Sequence, residues 1–535
     1  MTLVAIVSLL FVGGLLAYFA EYLRAGAARW LAVISVLSAL LLLGRYLPNA
    51  MQVLHGETPR ADQVWDHLQV LWIPRFGIHF AVAIDGLSFL MLSLTLIAGL
   101  FGLWMCWRER RFGEGFYYAN YLWVLAGVVG VFCARDLFLF FCFWEVMLVP
   151  MSLLIALWGH GQKNRAAIQF FIFTQASSLF LLIAIIGVVL THFRQTGEVS
   201  FLPAELSQTL LSSFSSSNTA FWLMLGFFVA FAVKLPIIPF HPWLPDAHTQ
   251  APTAGSVLLA AILLKTGAYG LIRFTLPLFP EASLTFAPMA AGLGVAGILY
   301  GALMAFAQTD VKRLVAYSSI SHMGFVLLGI YSFTAIGLQG AVAQMVAHGL
   351  STAALFGLAG VLQARFHTRD MLVLGGLSVQ MPRWAAMLLF FTVAAMGLPG
   401  LANFVGELLA LMGSFKLHPW MTVLATGGLI GSALYGLKLI RQLLFGTPRA
   451  QHPTPPQSLI NNDLLRHEML ALALPLLLLI GLGLSPQLML RQSAAWTEII
   501  VERVNLSSEQ DTDRKPHTDQ GRRQLEQADS RGGRQ

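Results

Sequence analysis

Four ionisable residues lie inside stretches of this sequence that are otherwise apolar, and proton transfer is the chemistry open to them. Glu145 sits in Leu137-Phe-Leu-Phe-Phe-Cys-Phe-Trp144-Glu145-Val-Met-Leu, about two helical turns from either end of its apolar run. Lys234 lies in Phe231-Ala-Val-Lys234-Leu-Pro236-Ile-Ile-Pro239, and Lys265 in Ala261-Ile-Leu-Leu-Lys265-Thr-Gly-Ala. Glu407 closes Gly397-Leu-Pro399-Gly400-Leu-Ala-Asn403-Phe-Val-Gly406-Glu407. A charge at the centre of a bilayer costs at least ~2.5 to 3.5 kcal/mol, so each position needs a compensating reason. For one such charge, a polar anchor between helices competes closely with transport. Two acids and two lysines in one chain favour a relay, which needs groups of opposite sign whose proton affinities depend on one another.

Histidines extend the set. His241 and His248 flank the polar stretch His241-Pro-Trp-Leu-Pro-Asp246-Ala-His248-Thr-Gln250, while His322 and His348 lie within apolar segments. Imidazole donates and accepts near neutral pH and so links water wires. The competing reading is a hydrogen-bonded core histidine at 322 and 348, and a loop or cap residue at 241. Metal ligation has no support, since neither H-x-x-x-H nor H-E-x-x-H occurs.

Helix breakers accompany two of the four charges: Pro236 and Pro239 follow Lys234, and Gly397, Pro399 and Gly400 precede Glu407. Each proline removes an amide donor and clashes with the preceding turn. At membrane depth the freed carbonyls are tolerated only against protein or a watery cavity. Broken helices in matching positions of two halves point to inverted repeats around a transport site.

The elements that position these residues must be transmembrane helices. Of 535 residues, 57% are hydrophobic and only 11% charged, a balance that lipid tolerates and water does not. Apolar runs long enough to span predict about fourteen helices, so the expected fold is an all-α polytopic membrane protein with two inverted five-helix repeats and two broken helices. The first span, Met1 to Tyr22, lacks a basic leader and a cleavage site and reads as a retained helix. Residues 1–117 hold three helices and an extracytoplasmic loop, 118–274 and 284–440 the two transport repeats, and 441–506 a cytoplasmic loop and the last helix. The tail, 507–535, has almost no apolar residue and predicts disorder. Basic loop residues, among them Arg24, Arg29, Arg111, Lys163, Arg165, Lys312, Arg313, Arg365, Arg369 and Arg383, fall on one side, which the positive-inside rule makes cytoplasmic. An even number of spans then places both termini outside.

Several function classes are excluded. The net charge of +7 is spread over loops and tail instead of one face, so nucleic acid is not the partner. Only three cysteines occur, none in a C-x-x-C pair, and neither a strand–GxGxxG–helix nor a Walker sequence is present, so redox, nucleotide and flavin chemistry are expected elsewhere.

Phe143-Trp-Glu145-Val-Met-Leu-Val-Pro150, Lys234-Leu-Pro236, Trp243-Leu-Pro-Asp246-Ala-His248-Thr-Gln-Ala-Pro-Thr-Ala-Gly255-Ser-Val and Ser321-His322-Met-Gly324-Phe resemble the antiporter-like membrane subunits of proton-pumping NADH:quinone oxidoreductase, respiratory complex I. The resemblance runs across nearly the whole chain and stops at the tail. It implies that Glu145 and Lys234 are the carboxylate–lysine pair of the fifth and seventh helices, Lys265 the central lysine of the eighth, and Glu407 the exit-side acid of the twelfth. An acid at 407 contrasts with the lysine general in subunits L and N and in Mrp antiporters. The resemblance further implies a bacterial inner membrane, neighbouring L and N subunits, and NADH, FMN, iron–sulfur clusters and quinone held by partners, with no cofactor or metal in this chain. An Mrp-type cation/proton antiporter or a membrane-bound hydrogenase subunit is the alternative within the fold, and a non-conducting spacer the alternative outside it.

Overall fold

The computed structural model describes residues 1–24, 26–54, 64–107, 109, 111–213, 218–445 and 463–504. The expected tail at 507–535 and most of the loop within 441–506 lie outside the described residues. Among those described, twelve helices are long and apolar enough to cross a membrane. Two further crossings are split, which brings the spans to the expected number.

In chain order the first spans are α1 (Thr2–Leu23) and α2 (Ala27–Leu54). A hairpin of β1 (Asp66–Ile73) and β2 (Ile78–Ile84) follows, antiparallel with Val70 opposite Phe80. The hairpin was not legible as strands in a chain read as all helix. Next come α3 (Gly86–Met105), α4 (Glu114–Cys133), α5 (Leu137–Trp158) and α6 (Lys163–Thr196). The split α7 has halves Asn218–Lys234 and Trp243–Gln250. Then follow α8 (Thr253–Leu278), α9 (Pro280–Ala307), α10 (Val311–Ile330) and α11 (Ala335–Phe366). The split α12 has halves Pro382–Ala395 and Ala402–Phe415, and α13 (Pro419–Leu444) and α14 (Arg466–Leu484) complete the crossings. The last apolar run, expected as one span ending near residue 490, bends at Ser485–Pro486 into a separate helix α15 at 487–504.

Burial sorts the helices by role. α1, α2, α6 and α13 expose large apolar side chains such as Leu16, Leu41, Ile183 and Ile430, the outward face that a lipid or protein surround requires. Helices α8 and α11 are buried all round, the mark of an innermost element. Lys265 and His348 stand on these two.

The two faces of the bundle are tied differently. On the face rich in basic loops, Arg29 donates to Trp107 O, Trp158 Nε1 to Phe112 O at 2.8 Å, and His160 N–H to Gln250 O at 2.7 Å. On the other face Asp85, the N-cap of α3, accepts from Arg273 Nη2 at 2.6 Å and Arg135 Nη2 at 2.9 Å. Tyr269 OH, which donates to Phe132 O at 2.8 Å, also accepts from Arg273 Nε at 3.1 Å. Arg273 lies 4.1 Å from the Trp496 ring of α15. This cluster joins the hairpin end, the α4–α5 turn, the helix of Lys265 and the C-terminal helix. Burial opposes ionisation of Asp85, but the guanidiniums of Arg273 and Arg135 and the Ser88 amide outweigh it and hold the carboxyl below its ordinary range.

Candidate functional site

Both split helices are interrupted in the same way. At the first break the Ile237 amide reaches back five residues to Ala232 O at 2.9 Å, and at the second Leu398 N–H reaches Val393 O at 3.4 Å. Because the Ile237 amide has slipped to Ala232 O beside Pro236, Val233 O loses its helical donor, and Trp243 Nε1 from the second half of α7 supplies one at 2.9 Å. Gly397 and Gly400 have φ of +79° and +94°, a region that side-chain-bearing residues rarely adopt. Pro239, Pro399 and Gly400 are exposed on the molecular surface, whereas Pro236 is buried.

Lys234 ends the first half of α7. Its ammonium is buried without a hydrogen-bond partner and lies 5.4 Å from the Trp144 ring and 5.5 Å from that of Phe170. Cation–π contact offsets part of the desolvation. Glu145 sits beside Trp144 where α5 is interrupted at Met147, three residues before Pro150, whose missing amide leaves Val146 O without its helical donor. Its Oε1 is buried with no partner, yet the residue as a whole is only half-buried. Glu145 thus lies at the bundle's edge. Among the described residues no ion pair joins it to Lys234, so the pair stands open.

Lys265 occupies the middle of α8 between two five-residue stretches of wider π-helix, Leu259–Leu263 and Leu271–Thr275. Such insertions are rare and cluster at functional sites. Lys265 Nζ donates to Ala260 O and lies 2.7 Å from His348 Nδ1. The His348 ring is 5.4 Å from that of His322, centroid to centroid. His322 Nδ1 in turn lies 2.7 Å from Glu407 Oε1, which also accepts from Gln344 Nε2 at 3.0 Å. Tyr435 OH stands 3.1 Å from His322 Nε2. Lys265, His348, His322 and Glu407 thus form one buried line, each no more than 1% exposed.

Buried polar atoms without a protein partner accompany this line: His348 Nε2, Glu407 Oε2, Gln344 Oε1 and Asn403 Oδ1. Leaving such groups unsatisfied costs about 1–3 kcal/mol each, and internal water is the usual remedy. His248 is wholly buried with both ring nitrogens unpartnered, its ring stacked at 4.9 Å on Phe356. His241 lies apart, in the α7 break against Tyr300 at 5.0 Å, and no described contact brings it to the line. Sequence reasoning missed Gln344, Tyr435 and Trp243 as site residues. Gln344 had a signal, since it stands four positions before His348 and so shares its helix face.

Fold and site together define the class. The chain belongs to the NADH:quinone oxidoreductase/Mrp antiporter membrane family, whose description matches residues 134–434. Within it, the chain is 51% identical to NADH-quinone oxidoreductase subunit M of Pseudomonas aeruginosa, over 91% of this chain and 94% of that one. Subunit M of Escherichia coli K12 is 49% identical over 89% of this chain and 93% of that one. Among solved structures, a chain of respiratory complex I from Thermus thermophilus with bound NADH superposes with a TM-score of 0.81 at 30% identity, covering 95% of this chain and all of that one.

Proposed function

We propose that the chain is a proton-translocating membrane subunit of NADH-quinone oxidoreductase, the complex I counterpart of subunit M. The likeness to subunit M favours this over an Mrp-type antiporter or hydrogenase subunit. The single observation that carries the mechanism is the buried line from Lys265 through His348 and His322 to Glu407. Direct contacts close it at both ends, and between them the two imidazoles stand ring to ring at 5.4 Å. The basic face is cytoplasmic, both termini lie outside, and the membrane is the bacterial inner membrane. Residues 118–274 and 284–440 act as the two transport repeats, each built around one split helix.

In this reading a proton enters from the cytoplasm, reaches the Lys234 and Lys265 region, and leaves toward the outside through Glu407. Lys234 lacks a hydrogen-bonding partner, so the approach or withdrawal of Glu145 sets how well its charge is tolerated. Outward transfer of one charge costs ~2.3 kcal/mol per 100 mV of opposing potential. That energy arrives from partner subunits carrying NADH, FMN, iron–sulfur clusters and quinone, with subunits L and N as membrane neighbours. Glu145, half-buried at the bundle edge, is placed to receive it.

The experiment is a Glu145→Gln variant in vesicles bearing the complete complex. With assembly normal, NADH:quinone turnover and proton pumping both fall, by on the order of a hundredfold if the carboxylate works as an acid–base switch. Wild-type turnover and pumping per assembled complex would remove Glu145 from the mechanism.

A further inference from the structure

We propose that Lys312 loads protons into the path from the cytoplasmic side, an inference that rests on the chain being a proton conductor. Lys312 stands in the first turn of α10 and is wholly buried. Its Nζ donates to Ala251 O at 2.9 Å and to Ser256 Oγ at 3.1 Å, both neutral acceptors. Fully buried lysines are rare unless a carboxylate pairs with them, and the neighbouring carboxylate is already engaged. Asp310 caps α10 by accepting from the Arg313 amide at 3.0 Å, and pairs with Arg369 Nη2 at 3.2 Å. A cation in the first turn also faces the positive end of the helix dipole. Among the described residues no carboxylate hydrogen-bonds the Lys312 ammonium, which leaves it freer to give up its proton than a directly ion-paired lysine.

Polar groups stand on both sides of Lys312. Toward the cytoplasm lies a cavity of about 510 Å³ lined by Glu109, Arg111, His160, Lys163, Pro252 and Thr253 among others. Pro252 and Thr253 belong to the same turn as Ala251 and Ser256, so the cavity floor abuts the acceptors of Lys312. His160, at the cavity wall, has an imidazole pushed below its ordinary value by burial and by the cationic Lys312 and Arg369, so near neutrality it is uncharged. Toward the membrane centre Ser256 Oγ donates to His248 O at 2.8 Å. His248, in the half-helix that ends beside Ala251, is wholly buried with both ring nitrogens unpartnered. The order is cavity, Lys312, His248, Lys265. One N–H bond breaks at Lys312 as one forms on the His248 imidazole through water, and cavity water reprotonates Lys312.

The competing role is structural: Lys312 caps the C-terminal end of the second half of α7, where Ala251 follows Gln250. Arginine separates the two, because a guanidinium caps a carbonyl but does not release its proton in a protein. With the complete complex in inverted membrane vesicles, rates normalised to assembly, Lys312→Arg is expected to lower pumping and coupled turnover at least about tenfold. Ser256→Ala, which changes no charge, is expected to slow both and to raise the solvent isotope effect on turnover. Lys312→Arg rates within about twofold of wild type would overturn the proposal. Should that variant fail to assemble, Ser256→Ala decides, wild-type rates and isotope effect overturning it. A Glu407→Gln variant measured alongside separates the two levels. If it pumps normally, the reading as a conductor fails; if it is impaired while both Lys312→Arg and Ser256→Ala are normal, only the role of Lys312 fails.

Discussion

Glu407 shows how closely backbone and carboxylate are fitted. Oε1 accepts from Gln344 and meets His322, while Oε2 lies where a β-carbon on Gly397 would approach to 3.0 Å. Gly400, three residues on, also has positive φ but nothing within 4 Å of such a carbon. Alanine at either position carries backbone strain of roughly 1–2 kcal/mol, but only Gly397→Ala also displaces the carboxylate. Gly397→Ala should lower coupled turnover on the order of tenfold, as small misplacements of reacting groups do, with Gly400→Ala close to wild type. Equal losses in NADH:quinone activity per assembled complex would show that strain alone matters.

The sequence made Glu145, Lys234, Lys265 and Glu407 conspicuous because each interrupts an apolar run. Lys312 escaped notice for the opposite reason: beside Arg313 at a span's edge it reads as a loop marker of orientation. Gln344 and Tyr435 are polar without charge, and residue type does not distinguish them from ordinary interior residues.

At the scale of elements, the breaks in α7 and α12 were legible from proline and glycine, and the structure places them where expected. The π-helical stretches around Lys265 were not, since no residue type encodes an added residue per turn. Nor was the hairpin, whose alternation is too short to stand out in an apolar chain. The ion cluster of Asp85, Arg135 and Arg273 anchors these elements to one another on the face away from the basic loops. Arg273→Met leaves a largely buried acid with one guanidinium fewer, though still paired with Arg135, and should destabilise by about 1.5–3 kcal/mol, read as a lower thermal midpoint of the detergent-purified complex. Because the Asp85 carboxyl lies below its ordinary range, the stability it supplies is fully present above the unfolded value near ~3.9 and fades only as pH falls below it. The wild-type contribution should therefore be constant from about pH 5 upward. A clamp that weakens between neutral pH and that point would contradict the assignment.

For the whole molecule, lipid or protein must cover an exterior that exposes Leu16, Leu41, Ile183 and Ile430. The same surface carries the half-buried Glu145 and the exposed breaks at Pro239 and Pro399. A carboxylate and irregular backbone at membrane depth are tolerated against a neighbouring protein and not against acyl chains, which fits a subunit of a larger assembly. The interior carries the line from Lys265 through His348 and His322 to Glu407, each no more than 1% exposed.

The most direct measurement is proton pumping per NADH oxidised by the assembled complex carrying Glu407→Gln, which retains the shape and the bond from Gln344 but cannot ionise. The account predicts normal assembly with pumping and coupled turnover both reduced at least about tenfold. Wild-type pumping at wild-type turnover would contradict it, because the line from Lys265 to Glu407 would then be scaffolding and not a path.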